Sequence, residues 1–237
     1  MDIAGSVAYN YAEKGRLGGL VAEIIQAAIE QYITDLVPMR DSALAEVEDA
    51  AHQNRVPMVG PLEGQALYVL ARIGRARKIL EVGSATGYSA IWLGRAAQEA
   101  DGSFLGMELD PKRHAEAEQN LVNAGLTGVA RILHGDAFEI LPTLTDRYDF
   151  VFIDLVRQLG DEAQLRRLYD LCMDRLAVGG VLAVDNVLHG GDVVSPGRDS
   201  ARAADALNRL IAGDRRLHTT FLPVRDGLAV GLKVADA

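Results

Sequence analysis

Hydrophobic and polar positions along the chain change their spacing once. In the first sixty residues apolar side chains recur at helical intervals. Leu20, Ile24, Ile25, Ala28, Ile29 and Ile33 form one such series, which runs up to Pro38. Asp41 is placed to cap a second helix reaching about Asn54, and Pro61 suits the first turn of a third over Leu62–Ile73. From Lys78 onward, short β-branched runs alternate with longer amphipathic stretches. The runs are Lys78–Gly83, Ser103–Glu108, Val129–His134, Tyr148–Asp154, Gly180–Asp185, His218–Pro223 and Leu228–Val234. The stretches between the first five have helical periodicity. This alternation predicts an α/β fold, a mostly parallel sheet with helices on both faces. The short turn Arg225-Asp226-Gly227 predicts that the last two strands form an antiparallel hairpin.

Composition narrows the class. The chain has 237 residues, of which 49% are apolar and 24% charged, which excludes collagenous, disordered and disulfide-stapled proteins. The single cysteine, Cys172, has no internal partner and falls in the apolar series Leu168, Leu171, Cys172, Leu176, so a core position and a reducing, cytoplasmic setting are expected. A net charge of −9 argues against a loose grip on nucleic acid or an anionic membrane. No apolar run reaches the roughly 18–20 residues that span a bilayer. Glu13, Lys14 and Arg16 interrupt the early apolar residues, so no signal peptide is expected.

In open sheets of this kind ligands sit beyond the carboxyl ends of the strands. All five predicted parallel strands end at or beside a carboxylate: Glu81, Glu108, Asp136, Asp154 and Asp185. Packing alone gives no reason for so many acids there. Gly83 and Gly87 flank a tight strand-to-helix turn, where backbone N–H groups can approach a ligand closely. The middle glycine of the dinucleotide fingerprint is missing from this Gly-Ser-Ala-Thr-Gly loop, which opposes an NAD oxidoreductase. Glu108 follows Gly87 by 21 positions, where a carboxylate can accept both hydroxyls of a ribose, as in NAD or S-adenosylmethionine. Asp136 can receive an adenine amino group, cap a helix at Ala137, or do both. Asp154 and Asp185 end neighbouring strands about 4.8 Å apart and repel unless a cation lies between them. With Asn186 they offer three hard oxygen ligands, suited to Mg²⁺, Mn²⁺ or Ca²⁺ and poorly suited to zinc.

These residues bring a known family into view. The motifs VPMVGPLEGQ, ILEVGSATGYSA, GMELDP, HGDA, FVFID and VLAVDNVL resemble those of class I S-adenosylmethionine-dependent O-methyltransferases of the catechol and caffeoyl-CoA type. The resemblance extends from the helical preface to DGLAVGLKV at the end. It implies a Rossmann-like sheet of seven strands with an antiparallel last strand, an N-terminal helical extension over 1–56, a methyltransferase domain over 57–237, and often a homodimer. It also implies site residues. Glu81, Gly83, Ser84 and Ser89 would hold the amino-acid end of the methyl donor, and Val59 would touch it through its backbone. Glu108 would bind the ribose, and Asp136 and Ala137 the adenine. Gly87 completes the turn, and Tyr88 is placed to border the donor. Asp154, Asp185 and Asn186 would hold a divalent cation, most readily Mg²⁺.

One stretch departs from the pattern. These enzymes usually carry Asp-Ala-Asp-Lys after the strand, with the lysine taken as general base; here the run is Asp154-Leu155-Val156-Arg157. A guanidinium is no proton acceptor at physiological pH. The candidate catalytic set is therefore Asp154, Arg157 and His189. His189 or solvent would take the proton, and Arg157 would pair with an anionic acceptor. The remaining histidines, His52, His114, His134 and His218, read as packing or surface residues. The leading reading is a cation-dependent enzyme acting on a phenolic or catechol-like small molecule, with no nucleic-acid or membrane partner. One alternative acceptor is a hydroxylated wobble uridine of tRNA, for which Arg72, Arg75, Arg77 and Lys78 are the available basic surface. Another is a donor-binding protein that has lost turnover.

Overall fold

The computed structural model describes residues 24–37 and 40–236. Leu20 and Pro38, which bound the first predicted helix, lie outside the described residues. Helix α1 spans Ala27–Leu36 and buries none of its residues. Helix α2, Ser42–Asn54, starts where predicted, with the Asp41 carboxylate accepting from the Leu44 N–H at 3.2 Å. Helix α3 spans Gly60–Ile73, with Pro61 in its first turn.

The strands are β1 Lys78–Val82, β2 Ser103–Glu108, β3 Ala130–His134, β4 Tyr148–Ile153, β5 Leu176–Val184, β6 Leu217–Leu222 and β7 Leu228–Lys233. They form one sheet in the order β3-β2-β1-β4-β5-β7-β6. Strands β1 to β5 run parallel. Strand β7 inserts between β5 and β6 and is antiparallel to both. Between the parallel strands lie α4 (Tyr88–Gln98), α5 (Pro111–Asn123), α6 (Ala137–Ile140), α7 (Val156–Leu159) and α8 (Glu162–Arg175), and α9 (Asp199–Gly213) precedes β6.

Alternation along the strands divides the core into two layers. Ile79, Phe104, Phe150 and Phe152 pack with Leu67 of α3, Ile91 of α4 and Leu121 of α5. Leu80, Val82, Val151, Ile153 and Val184 pack with Leu168 and Cys172 of α8 and Ile211 of α9 on the other face. Burying such an aliphatic side chain contributes roughly 1.5–3 kcal/mol. Both faces being covered, the strands read as nearly continuous apolar runs.

Two expectations need correction. Strand β5 begins at Leu176 rather than Gly180, because Leu176 pairs with Tyr148 before an irregularity shifts the register to Val181 against Phe150. Gly179, with φ +86°, supplies the left-handed residue in the intervening stretch. The histidines also have more company than predicted. The His114 and His134 rings lie 5.4 Å apart, and their Nε2 atoms sit 2.9 Å from the Ile132 carbonyl and 3.1 Å from the Leu109 carbonyl.

The strand order reverses between β1 and β4, where connections leave toward opposite sides and a crevice opens at the carboxyl ends.

Candidate active site

Strand β1 delivers Glu81 to this crevice fully buried. Its Oε2 accepts from the Ser84 hydroxyl at 2.6 Å, while Oε1 has no partner. Burial pushes the carboxyl up to about 7, against the pull of the Ser84 and Ser89 hydroxyls. A buried carboxylate oxygen left over at a strand end fits a cationic ligand group. The turn that follows is shaped for close approach. Gly83 has φ +95°, and a Cβ there would stand 2.7 Å from the Asp154 carbonyl oxygen. Only glycine allows β1 and β4 to come together at this point. The far side of the turn is tied to β2, because the Glu108 carboxylate accepts from the Ala85 N–H at 2.8 Å and the Asp110 N–H at 2.9 Å. Asp136 caps α6 through the Phe138 N–H at 2.8 Å, and Ala137 is buried beside it. Val59 stands buried just ahead of α3.

Strands β4 and β5 deliver Asp154 and Asp185. Burial, the charge of Asp185 and that of Glu81 hold the Asp154 carboxyl well above its ordinary range. Asp185 is 4% exposed; burial pushes it up to about 6, although the Glu63 carboxyl, the Asn186 N–H and Arg225 favour its charged form. Sequence reasoning missed Glu63. It lies on α3, 1% exposed, within hydrogen-bond reach of Asp185, and its Oε1 has no partner. Arg225 was missed too. It comes from the β6–β7 turn, its Nη1 donates to the Met58 carbonyl at 3.1 Å, and its charge favours ionisation of Glu63, Asp154 and Asp185. Three crowded carboxyl groups face one guanidinium, and a hard divalent cation there would favour their ionised forms. No three of His, Cys, Asp and Glu form a ligating group among the described residues. The residues here that could hold a metal are Asp154 and Asp185 at adjacent strand ends, with Asn186 next in the chain.

The loop after β5 places His189 at the same rim. Its ring is 8% exposed and Nδ1 has no partner.

Comparison with known proteins decides what this crevice belongs to. The family model described as O-methyltransferase matches residues 38–234. The chain belongs to the O-methyltransferase family. It is 30% identical over 217 residues to a catechol O-methyltransferase of Niastella koreensis, covering 88% of this chain and 93% of that one. It is 28% identical over 221 residues to a caffeoyl-CoA O-methyltransferase of Medicago sativa, covering 86% and 87%. Among solved structures, the O-methyltransferase TomG of Streptomyces achromogenes, in complex with S-adenosylmethionine, superposes with a TM-score of 0.77 at 28% identity, covering 88% and 96%.

The chain is thus an S-adenosylmethionine-dependent O-methyltransferase, and the seven-strand fold expected from its motifs is the one observed. No helix among the described residues is long and apolar enough to cross a membrane. Two of the expected site residues of this O-methyltransferase have partners within the chain. Tyr88 is 2% exposed and donates from its hydroxyl to Glu48 Oε1 of α2 at 2.6 Å. Arg157 is already engaged by a carboxylate of its own chain, Asp226, at 2.8 Å from Nε and 2.6 Å from Nη2.

Proposed function

We propose that this O-methyltransferase methylates a hydroxyl of a catechol-like small molecule, with a divalent cation, most readily Mg²⁺, held by Asp154, Asp185 and Asn186. The observation that carries this reading is that Asp154 and Asp185 stand side by side at the carboxyl ends of β4 and β5, where the Asp154 N–H donates to Val82 and the Asp185 N–H to Ile153, and where each carboxyl is held above its ordinary range. The named catechol and caffeoyl-CoA relatives support the acceptor class.

In this reading Glu81 meets the donor's ammonium with its unpartnered oxygen, Ser84 and Ser89 orient that carboxyl, and the Gly83–Gly87 turn lets the backbone approach. Glu108 receives the ribose hydroxyls, and Asp136 and Ala137 border the adenine. S-adenosylmethionine, when bound, supplies an electrophilic methyl group on a sulfonium. Asp154, Asp185 and Asn186 would hold a divalent cation, which would supply Lewis acidity to ease loss of the acceptor's proton. The chain's task is alignment, and preorganisation of this kind supplies roughly 7–11 kcal/mol of a barrier. His189 Nδ1, buried and unpartnered, takes the acceptor's proton. A homodimer belongs to this reading, and Ile29, Tyr32 and Leu36 of α1 stand uncovered among the described residues.

A tRNA acceptor finds no support. Arg72, Arg75 and Arg77 gather at the amino end of β1, about 16 Å along the strand from the donor loop. Arg72 pairs there with Glu99 at 3.4 Å, and Lys78 with Asp146 at 3.2 Å.

The test is methyl transfer from S-adenosylmethionine to a panel of catechols, with and without EDTA. Turnover abolished by EDTA and restored by Mg²⁺ is expected. Turnover that survives EDTA removes the cation. Tight donor binding without turnover on any catechol removes the acceptor class.

A further inference from the structure

The loop that follows β5 takes an unusual path. Asn186, His189, Gly190 and Gly191 all have positive φ, at 62°, 49°, 66° and 86°. Two of these are not glycine, so the path is costly and must be held from outside. The β6–β7 turn holds it. The Val187 N–H donates to the Gly227 carbonyl at 3.2 Å, and the Leu188 N–H to the Asp226 carbonyl at 2.8 Å. The Gly190 N–H donates to Asp226 Oδ1 at 2.5 Å. The other carboxylate oxygen, Oδ2, accepts from Arg157 Nε and Nη2. Asp226 thus joins three segments that are distant in sequence: the short helix after β4, the loop after β5 and the terminal hairpin.

From this geometry we infer that Arg157 is a positioning residue. Acting through Asp226, it fixes the 186–191 loop and with it Asn186 and His189. Two guanidinium N–H groups converge on Oδ2, which sets the carboxylate rotamer and turns Oδ1 toward the Gly190 N–H. A residue that replaces the family's usual base thereby serves the site by geometry rather than by proton transfer. The contact with the loop stands on the structure alone; its effect on methyl transfer rests on the function proposed above.

The experiment uses the full chain bound to S-adenosylhomocysteine, as wild type, Arg157→Gln, Arg157→Lys and Asp226→Asn. Hydrogen–deuterium exchange is followed over residues 186–191, alongside kcat and KM for catechol. Loss of a charge-assisted contact is expected to speed exchange of the loop amides about tenfold in Arg157→Gln and Asp226→Asn, with the strands unchanged. Arg157→Lys keeps the charge and one donor, so it restores part of the protection. The kcat is expected to fall as the loop loosens, while affinity for S-adenosylhomocysteine holds. Wild-type exchange of the loop in Arg157→Gln overturns the inference, as does faster exchange throughout the strands. A loosened loop with unchanged kcat overturns the positioning role. A loosened loop in a protein whose wild type methylates no catechol leaves the clasp standing and removes the proposed acceptor instead.

Discussion

Replacing Glu81 by glutamine isolates one buried charge. In the ligand-free protein burial raises this carboxyl from 4.5 to about 7, a difference equivalent to about 3 kcal/mol. Below pH 4.5 the group is protonated in both folded and unfolded chains and costs nothing. As pH rises from 4.5 to 7 the unfolded chain gives up its proton first, so folding stability falls. Above 7 the loss is complete and constant. Glutamine keeps the shape and has no such dependence. The difference in unfolding free energy between Glu81→Gln and wild type, measured by denaturant titration across pH 4–8, should therefore grow by about 3 kcal/mol in favour of the variant. For a chain of this size that corresponds to roughly 6–12 °C in Tm. Donor binding should run the other way. Affinity for S-adenosylhomocysteine should strengthen as pH approaches 7 in the wild type and lose that dependence, with about a tenfold weakening, in Glu81→Gln. A stability difference that stays flat between pH 4.5 and 7, or wild-type affinity in the variant, refutes the reasoning.

Four further outcomes are expected. Gly83→Ala places a Cβ 2.7 Å from the Asp154 carbonyl at a left-handed position; it should lose at least about 2 kcal/mol, read as a lowered Tm. Asp185→Asn removes a carboxyl raised to about 6. The ligand-free protein should gain stability above pH 6, while methyl transfer falls by about 100-fold or more, and retained activity would discard the proposed ligand set. His189→Ala should lower kcat for methyl transfer by about 100-fold; wild-type kcat in the variant takes the histidine out of proton transfer. Tyr88→Phe removes the 2.6 Å bond to Glu48 and should cost about 1–2 kcal/mol of stability with no change in S-adenosylhomocysteine affinity, and weakened binding would return Tyr88 to the donor's edge.

The parts of this protein that were legible in its sequence are those set by local pattern. Strands buried on both faces must be apolar throughout, so six of the seven began within a residue of their predicted starts, and β5 was misread because Gly179-Gly180 breaks the run that begins at Leu176. The carboxylates at the strand ends were legible because the parallel topology sends all five to one rim. Misplaced or missed features depend on contacts that sequence spacing does not encode. Tyr88 follows the glycine loop directly, yet the turn of α4 points it at Glu48, 40 positions earlier. Glu63 sits inside a quoted motif, but only the approach of α3 to the end of β5 makes it a neighbour of Asp185. Arg157 read as a missing base because its counterpart, Asp226, lies 69 positions away on a hairpin. The strand-end carboxylates Asp154 and Asp185 are therefore readable from the ends of adjacent strands, whereas the charges that surround them, Glu63 and Arg225, arrive from α3 and the β6–β7 turn. Burial is the largest cause that raises the Asp154 and Asp185 carboxyls, and Arg225 opposes it in both. The positions of these carboxylates follow from topology, and their electrostatics follow from tertiary packing.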